Sequence, residues 1–383
     1  MNEIKEFITK KQCTVLGIGP MSKNCVDVVI ELANTYNIPL MLIASRRQIE
    51  SEKLGRGYVN NWSTEEFAEY VKKRDKNNKI ILCRDHGGPY QNEDKDGSKS
   101  IKEVIDNAKE SFQTDIESGF KIIHIDPSEN LVSKSEIDEM LERIFELYGF
   151  CYKIAKQNQN EIMIEISIGK EDGKISKFSE LKYTIEQMEK FCFKNDLPLP
   201  LFLVVKTGNH VLETENVGML DDIMKGKYEN ERGEILKMIK LCKDRKILIK
   251  EHNGDYLSEK TLKEHPEIGI DAVNVAPEFG VVETRAILSY LSKNNLDEFK
   301  QNFLDIAYNS KKWKKWMLPN SKTTKKDKAI IAGHYVFSSQ EFNELKNKIL
   351  EKIDNREDFD KYLKFEIKKS ILRYLKCLEI IQT

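Results

Sequence analysis

Apolar positions along this chain alternate between two patterns. Short runs of aliphatic and β-branched residues are nearly continuous in hydrophobicity: TVLGIG (14–19), LMLIAS (40–45), KIILC (79–83), KIIHID (121–126), EIMIEISI (161–168), LFLVVKTG (201–208), KILIKEH (246–252) and IDAVNVA (270–276). Between them, CVDVVIELANTY, TEEFAEYVKKR, SIKEVIDNAKESFQTDIES, KSEIDEMLERIFELYGF and GEILKMIKLCKDR return their apolar residues every three to four positions, the period of an amphipathic helix. Strands that are apolar throughout are covered on both faces, the condition of parallel strands joined through helices. Eight such units predict a closed (β/α)8 barrel, a TIM barrel, rather than an open sheet with edges to protect. The tightest link is the last, where few residues separate the seventh run from the eighth. Beyond about residue 285 strand signals stop, while LSYLSKNNLDEFKQNFLDIAY, EFNELKNKILEKIDN and DFDKYLKFEIKKSILRYLKCLEIIQ read as helices. The expected organisation is a barrel domain over 1–284 and a helical C-terminal extension over 285–383 packed on it.

Composition narrows the function classes. With 33% charged residues, 40% hydrophobic residues and a net charge of −1, nothing in the chain as a whole attracts a polyanion. The seven cysteines are odd in number, scattered and never spaced as CxxC, so neither a disulfide framework nor a thiolate zinc knot is expected. The opening MNEIKEFITKK is acidic as well as basic, and no run approaches the roughly 18 apolar residues of a membrane span. These features predict a cytoplasmic protein with neither a membrane nor a nucleic acid as partner.

In a (β/α)8 barrel the chemistry sits at the carboxyl ends of the strands. CRDHGGP puts Asp85 and His86 after the third run, KTGNHV puts His210 after the sixth, and KEHNGDY puts His252 at the end of the seventh. Asp126 ends the fourth run, Glu165 lies near the end of the fifth, and Asn274 lies on the eighth. Three imidazoles at strand ends suit zinc or a related divalent ion with a coordination position left open. Each is equally compatible with a hydrogen-bonded structural histidine. A metal held there would stabilise an enediolate while a carboxylate, Asp85, moves a proton. His124 alternates inward within IIHID, where a structural role is as natural as a functional one. His265 is expected at the surface, and His334 reaches a ligand only where the extension covers the mouth. For anions, the first loop offers Ser22 and Lys23, the second offers Arg46, Arg47 and Arg56 among glycines, and Lys206 and Lys250 end the sixth and seventh runs as anion donors or Schiff-base nucleophiles. The basic stretch KKWKKWMLPNSKTTKKDK (311–328) reads as a solvated joint between helices with its tryptophans docked inward, or as a contact for phosphate or another subunit.

CRDHGGP, GFKIIHIDPSE, EIMIEISIGKEDG, LFLVVKTGNH, KEHNGDYLSEKTLKEH and IGIDAVNVAPEFGVVETRAIL together resemble the D-tagatose-1,6-bisphosphate aldolase accessory-subunit family, itself similar to the class II, metal-dependent fructose- and tagatose-bisphosphate aldolases. The likeness extends over most of residues 12–340, including WKKWMLPN. It implies a TIM barrel in a sugar-phosphate setting, with Asp85 as proton-transfer carboxylate, Glu165 as an acidic group beside the metal, His86, His210 and His252 as ligands to a divalent metal such as Zn2+, and Asn274 against substrate. HNGDY departs from the HGGSG-type segment of those aldolases and KTGNHV from their GTxHG-type segment, which leaves the phosphate cradle open. The implied activity is a metal-dependent aldolase-type lyase for a ketose phosphate or bisphosphate. The alternatives are a noncatalytic accessory subunit that stabilises a separate aldolase, and a sugar-phosphate epimerase or isomerase. A homo-oligomer or a separate aldolase subunit is the protein partner these readings imply.

Overall fold

Each apolar run folds as a strand because its backbone pairs on both sides while its side chains are buried on both faces. The computed structural model describes residues 3–92, 99–131, 136–169, 173–353 and 356–382; Met1, Asn2, Lys134, Ser135, Lys170, Glu171, Asp172, Asp354 and Asn355 of the segments quoted above lie outside them. Eight parallel strands run in sequence order: β1 (Val15–Ile18), β2 (Leu40–Ser45), β3 (Ile80–Gly87), β4 (Ile122–Ile125), β5 (Met163–Ser167), β6 (Phe202–Val204), β7 (Leu248–Glu251) and β8 (Ala272–Val275). Each pairs with the next, and β8 closes on β1 with Val15 opposite Ala272 and Gly17 opposite Asn274. The fold is a closed eight-stranded TIM barrel with helices beyond it. The short final crossover is filled by the helix Glu259–Ile268, capped by Ser258 at its start and ended by Gly269 at φ 93°.

Two irregularities position the mouth. Between β3 and β4, Arg84 faces Ile123 and Gly87 faces Ile125, so three steps on one strand match two on the other. This bulge carries His86 at φ 42° and turns its ring toward the barrel mouth. On β1, a Cβ at Gly17 would stand 2.2 Å from Oδ1 of Asn274, so only glycine leaves room for the Asn274 amide.

The helix Pro277–Lys293 crosses the expected boundary at 284/285. A second hydrophobic core beyond the barrel gathers Val281, Ile287, Leu291, Phe303, Ile349 and Phe359. The last helix, Arg356–Cys377, belongs to both cores, because Ile367, Ile371, Tyr374 and Leu375 pack with the barrel. Lys364 and Lys368 bind Asp27 and Glu31 on the first barrel helix, Lys23–Tyr36, which follows β1, at 2.6 and 2.7 Å. In the basic stretch, Trp313 stacks on Tyr308, and the backbone of Glu213 donates to Trp316 O at 2.7 Å, tying the extension to the hairpin that follows β6.

His265 corrects the surface expectation: it is fully buried. Its Nε2 meets Glu251 Oε1 at 2.9 Å and its Nδ1 meets Thr261 O at 2.7 Å. Glu251 also accepts from Thr207 (2.7 Å) and Asn209 (2.6 Å), so this pair anchors the loop after β6. Burial pulls the His265 pKa down, but Glu251 and the hydrogen bonds outweigh it and the net direction is up. A raised pKa contributes stability that is complete below the ordinary histidine range and is lost as pH rises through the folded value. We therefore expect His265→Ala to cost about 3–5 kcal/mol, the scale of breaking a buried pair. Urea unfolding of both proteins checks this, with the larger difference at pH 6 than at pH 9.

Candidate metal centre

Alternation along β3 sends Arg84 outward and Asp85 inward. Arg84 is buried against Asp115, with Nη2 to Oδ1 at 2.6 Å, and its Nη1 donates to the carbonyls of Ala44 and Ile49 at 2.8 Å. With the outer face fixed in this way, Asp85 is held at the top of the barrel interior. Asn274 Nδ2 donates to Asp85 Oδ1 at 3.1 Å, and His124 Nδ1 and His252 Nε2 lie 3.6 and 3.8 Å from the same oxygen.

Two overlapping groups of ligand atoms form here. One nitrogen each of His86, His124 and His252 lie within 4.8 Å of one another, as do ligand atoms of Asp85, His124, Glu165 and His252. Asp126 Oδ2 receives His86 Nδ1 at 2.8 Å, the carboxylate–histidine arrangement that orients an imidazole toward an ion. Asp126 is itself set by the N–H and Oγ of Ser128 at 3.1 and 2.6 Å. Two glycines follow His86 because a Cβ at Gly87 would lie 2.3 Å from the Phe112 ring and one at Gly88, at φ 132°, 2.5 Å from Asp126 O. Glu165 stands deeper, with Lys250 Nζ on Oε2 at 2.6 Å and His252 Nε2 on Oε1 at 3.0 Å. Burial drives the Glu165 pKa up, but Lys250, His124 and His252 overcome it and hold the group at about 2. Asp85 behaves alike: burial opposes ionisation, and His86, His124 and His252 pull its pKa far below the carboxylate range.

The donor set fits a divalent cation. Imidazole nitrogens of His86, His124 and His252 beside the carboxylates of Asp85 and Glu165 are the donor chemistry of zinc and its neighbours.

Of the residues singled out in the sequence, Asp85, His86, Glu165 and His252 meet in these groups, and His124 joins them. His210 does not. β6 ends at Val204, six residues earlier, and the loop carries His210 to the hairpin, where its backbone N–H bonds Asn216 Oδ1 at 3.3 Å. The alternation that put His124 inward was the one signal for it; the register that places it opposite Glu165 is tertiary. Asp126, Asn274, Lys206 and Arg47 line a cavity of about 510 Å³ above the cluster. Lys250 lies beneath it and is held in the charged form by Glu165 against the pull of burial, a state opposed to Schiff-base chemistry. Ser22 caps the first barrel helix and binds Glu283, and Arg46 holds Glu50 at 2.6 Å and the Gly88 carbonyl at 2.9 Å, so both serve as supports. The extension does cover the mouth, the condition on which His334 reaches a ligand, and it brings Lys315 and Trp316 of the basic stretch to the cavity wall together with Tyr335, which had not been singled out.

No family model and no curated protein matches the chain. Solved structures match its fold. A probable tagatose 6 phosphate kinase from Sinorhizobium meliloti 1021 aligns over 95% of this chain and 100% of its own, with TM-score 0.72 and 13% identity. Fructose-bisphosphate aldolase from Campylobacter jejuni aligns over 99% and 94%, with TM-score 0.57 and 14% identity. The fructuronate-tagaturonate epimerase UxaE from Cohnella laeviribosi aligns over 96% and 81%, with TM-score 0.57 and 10% identity. At these identities the likeness establishes the barrel and its extension.

Elemental analysis of the untagged protein and its variants tests the centre. We expect near-stoichiometric divalent metal in the wild type, its loss in His86→Ala, His124→Ala and His252→Ala, and its retention in His210→Ala.

Proposed function

We propose that this protein is a metal-dependent aldolase-type lyase acting on a ketose phosphate or bisphosphate. The observation that carries the reading is Asp85, an ionised carboxylate fixed by Asn274 at the edge of a three-histidine cluster and open to the cavity. His86, His124 and His252 would hold the ion, with zinc the best match to the donors; bound there, it would supply positive charge to a carbonyl and hydroxyl oxygen pair.

The protein's own groups account for the rest. Asp85 takes the proton of the hydroxyl beside the bond to be cleaved, within reach of the cavity but shielded from bulk water. The carbon–carbon bond breaks, its electron pair moves toward the substrate carbonyl, and Asp85 returns a proton to the carbon left behind. Lys250 keeps Glu165 ionised and in place, and Asn274 stops Asp85 from rotating onto an imidazole. Lys206 and Arg47 supply cations at the cavity wall for a phosphate. The cysteines are free and buried, which supports a reducing, cytoplasmic setting.

Glu165 bears on the epimerase reading. A two-base epimerase needs a second carboxylate free to exchange protons, and Lys250 and His252 occupy both oxygens of Glu165. This favours bond cleavage. Incubation with ketose phosphates and bisphosphates separates the readings: a lyase releases two fragments, an epimerase exchanges solvent deuterium without release, and an accessory subunit turns over nothing alone. We expect cleavage to stop on chelation and return with added zinc. Asp85→Asn is expected to lower kcat about 10²- to 10⁴-fold, the usual weight of a general base, with the fold preserved.

A further inference from the structure

The extension lays a second, basic cavity against the first. It measures about 1000 Å³, shares Arg47, Tyr58, Lys315 and Tyr335 with the cavity above the metal cluster, and is lined by seven arginines and lysines and, among the described residues, by no carboxylate. Some of these cations are already neutralised: Lys53 pairs with Glu110, and Arg56 with Glu52 and Glu66. Arg47 and Lys315, at the junction, have no carboxylate partner among the described residues. Two like charges facing one opening are unfavourable unless an anion enters between them. Desolvation first, and then the charges of Arg47 and Lys312, pull the Lys315 ammonium below the usual lysine range, a pull that solvent screens because the side chain is exposed.

A second observation points the same way. His334 is 2% exposed, lines the cavity above the cluster, and has no hydrogen-bond partner on either ring nitrogen. Burial, then the Lys315 charge, lowers its pKa to about 3, so it is a neutral imidazole with one N–H to donate. Gly280 and Gly333 allow this close seat, since a Cβ at Gly280 would lie 2.7 Å from the His334 side chain and one at Gly333 2.3 Å from Thr284 Oγ1. An unpartnered buried imidazole costs free energy unless a ligand satisfies it.

We propose that Arg47 and Lys315 form an anion subsite at the junction of the two cavities, where the phosphate of a phosphorylated sugar is held and His334 donates a hydrogen bond to it. This deepens the lyase reading and rests on it for the rest of the ligand. The extension thereby supplies one half of this phosphate site, with Arg47 from the loop after β2 supplying the other.

Isothermal titration of the full chain with inorganic phosphate tests the subsite, with metal content measured on the same samples. We expect Arg47→Met and Lys315→Met each to weaken phosphate binding about tenfold or more, the scale of a charge-assisted hydrogen bond. His334→Phe should weaken it about threefold or more, Lys315→Arg should restore it, and all four variants should keep the metal of the wild type. Unchanged binding in both charge variants, or no binding by the wild type, would overturn the subsite even if the metal is present. Phosphate binding that depends on Arg47 and Lys315 in a protein that takes up no metal would uphold the subsite and refute the lyase reading.

Discussion

Lys250 and Glu165, 2.6 Å apart and both buried inside the barrel, are the constraint on which the mouth is built. Charges placed in a low-dielectric interior are tolerated only when each is paired and hydrogen-bonded, and the second oxygen of Glu165 is satisfied by His252. That links β5 to β7 through side chains as well as through the barrel wall. The imidazole of His252 then has a fixed neighbour, and His124, on the strand beside Glu165, completes a ring of polar groups where a TIM barrel otherwise stacks aliphatic layers. The deeper barrel stays apolar, so polarity is confined to the end where the loops open.

Around that pair the geometry is set by support on the outer side of the strands. Arg84 and Asp115 fix the outer face of β3, and with it the direction of Asp85. Arg46, instead of waiting for a substrate, grips the carbonyl of Gly88 and so holds the turn that follows His86. His265 and Glu251 do the same for the loop after β6. Each is an ionic or charge-assisted contact one layer behind the cluster, and two of them explain a charged residue on a strand, Arg84 on β3 and Glu251 on β7.

How much of this was legible in the sequence depends on the range of the interaction. Strand identity is local: a run of five or six apolar residues between amphipathic helices has few other fates, and all eight runs became barrel strands. Strand ends are not local. KIILC continues as a strand to Gly87 because the bulge keeps pairing alive past Cys83, whereas in LFLVVKTG the last register pair is Val204 with Lys250, and Val205 N–H makes the final ladder bond to Lys250 O. That single difference separates His86, at the cluster, from His210, beside the hairpin. His124 was ambiguous because inward parity does not say what stands opposite. His334 and the basic stretch with Lys315 stayed conditional in the sequence, since only the packing of the extension brings them over the mouth.

The helix Arg356–Cys377 gives the molecule an order of assembly. Lys364 meets Asp27 across 337 positions of sequence, and the same helix shares cores with the barrel and with the helices that roof it. During synthesis the eight strands emerge long before this helix, so the barrel waits with one flank of its first helix uncovered. Closure of so long a loop is paid in chain entropy, yet that cost grows only slowly with length. The wait itself is the hazard, because an uncovered apolar flank is a surface for misassociation. One helix therefore covers the flank of the barrel and anchors the helices that roof its mouth.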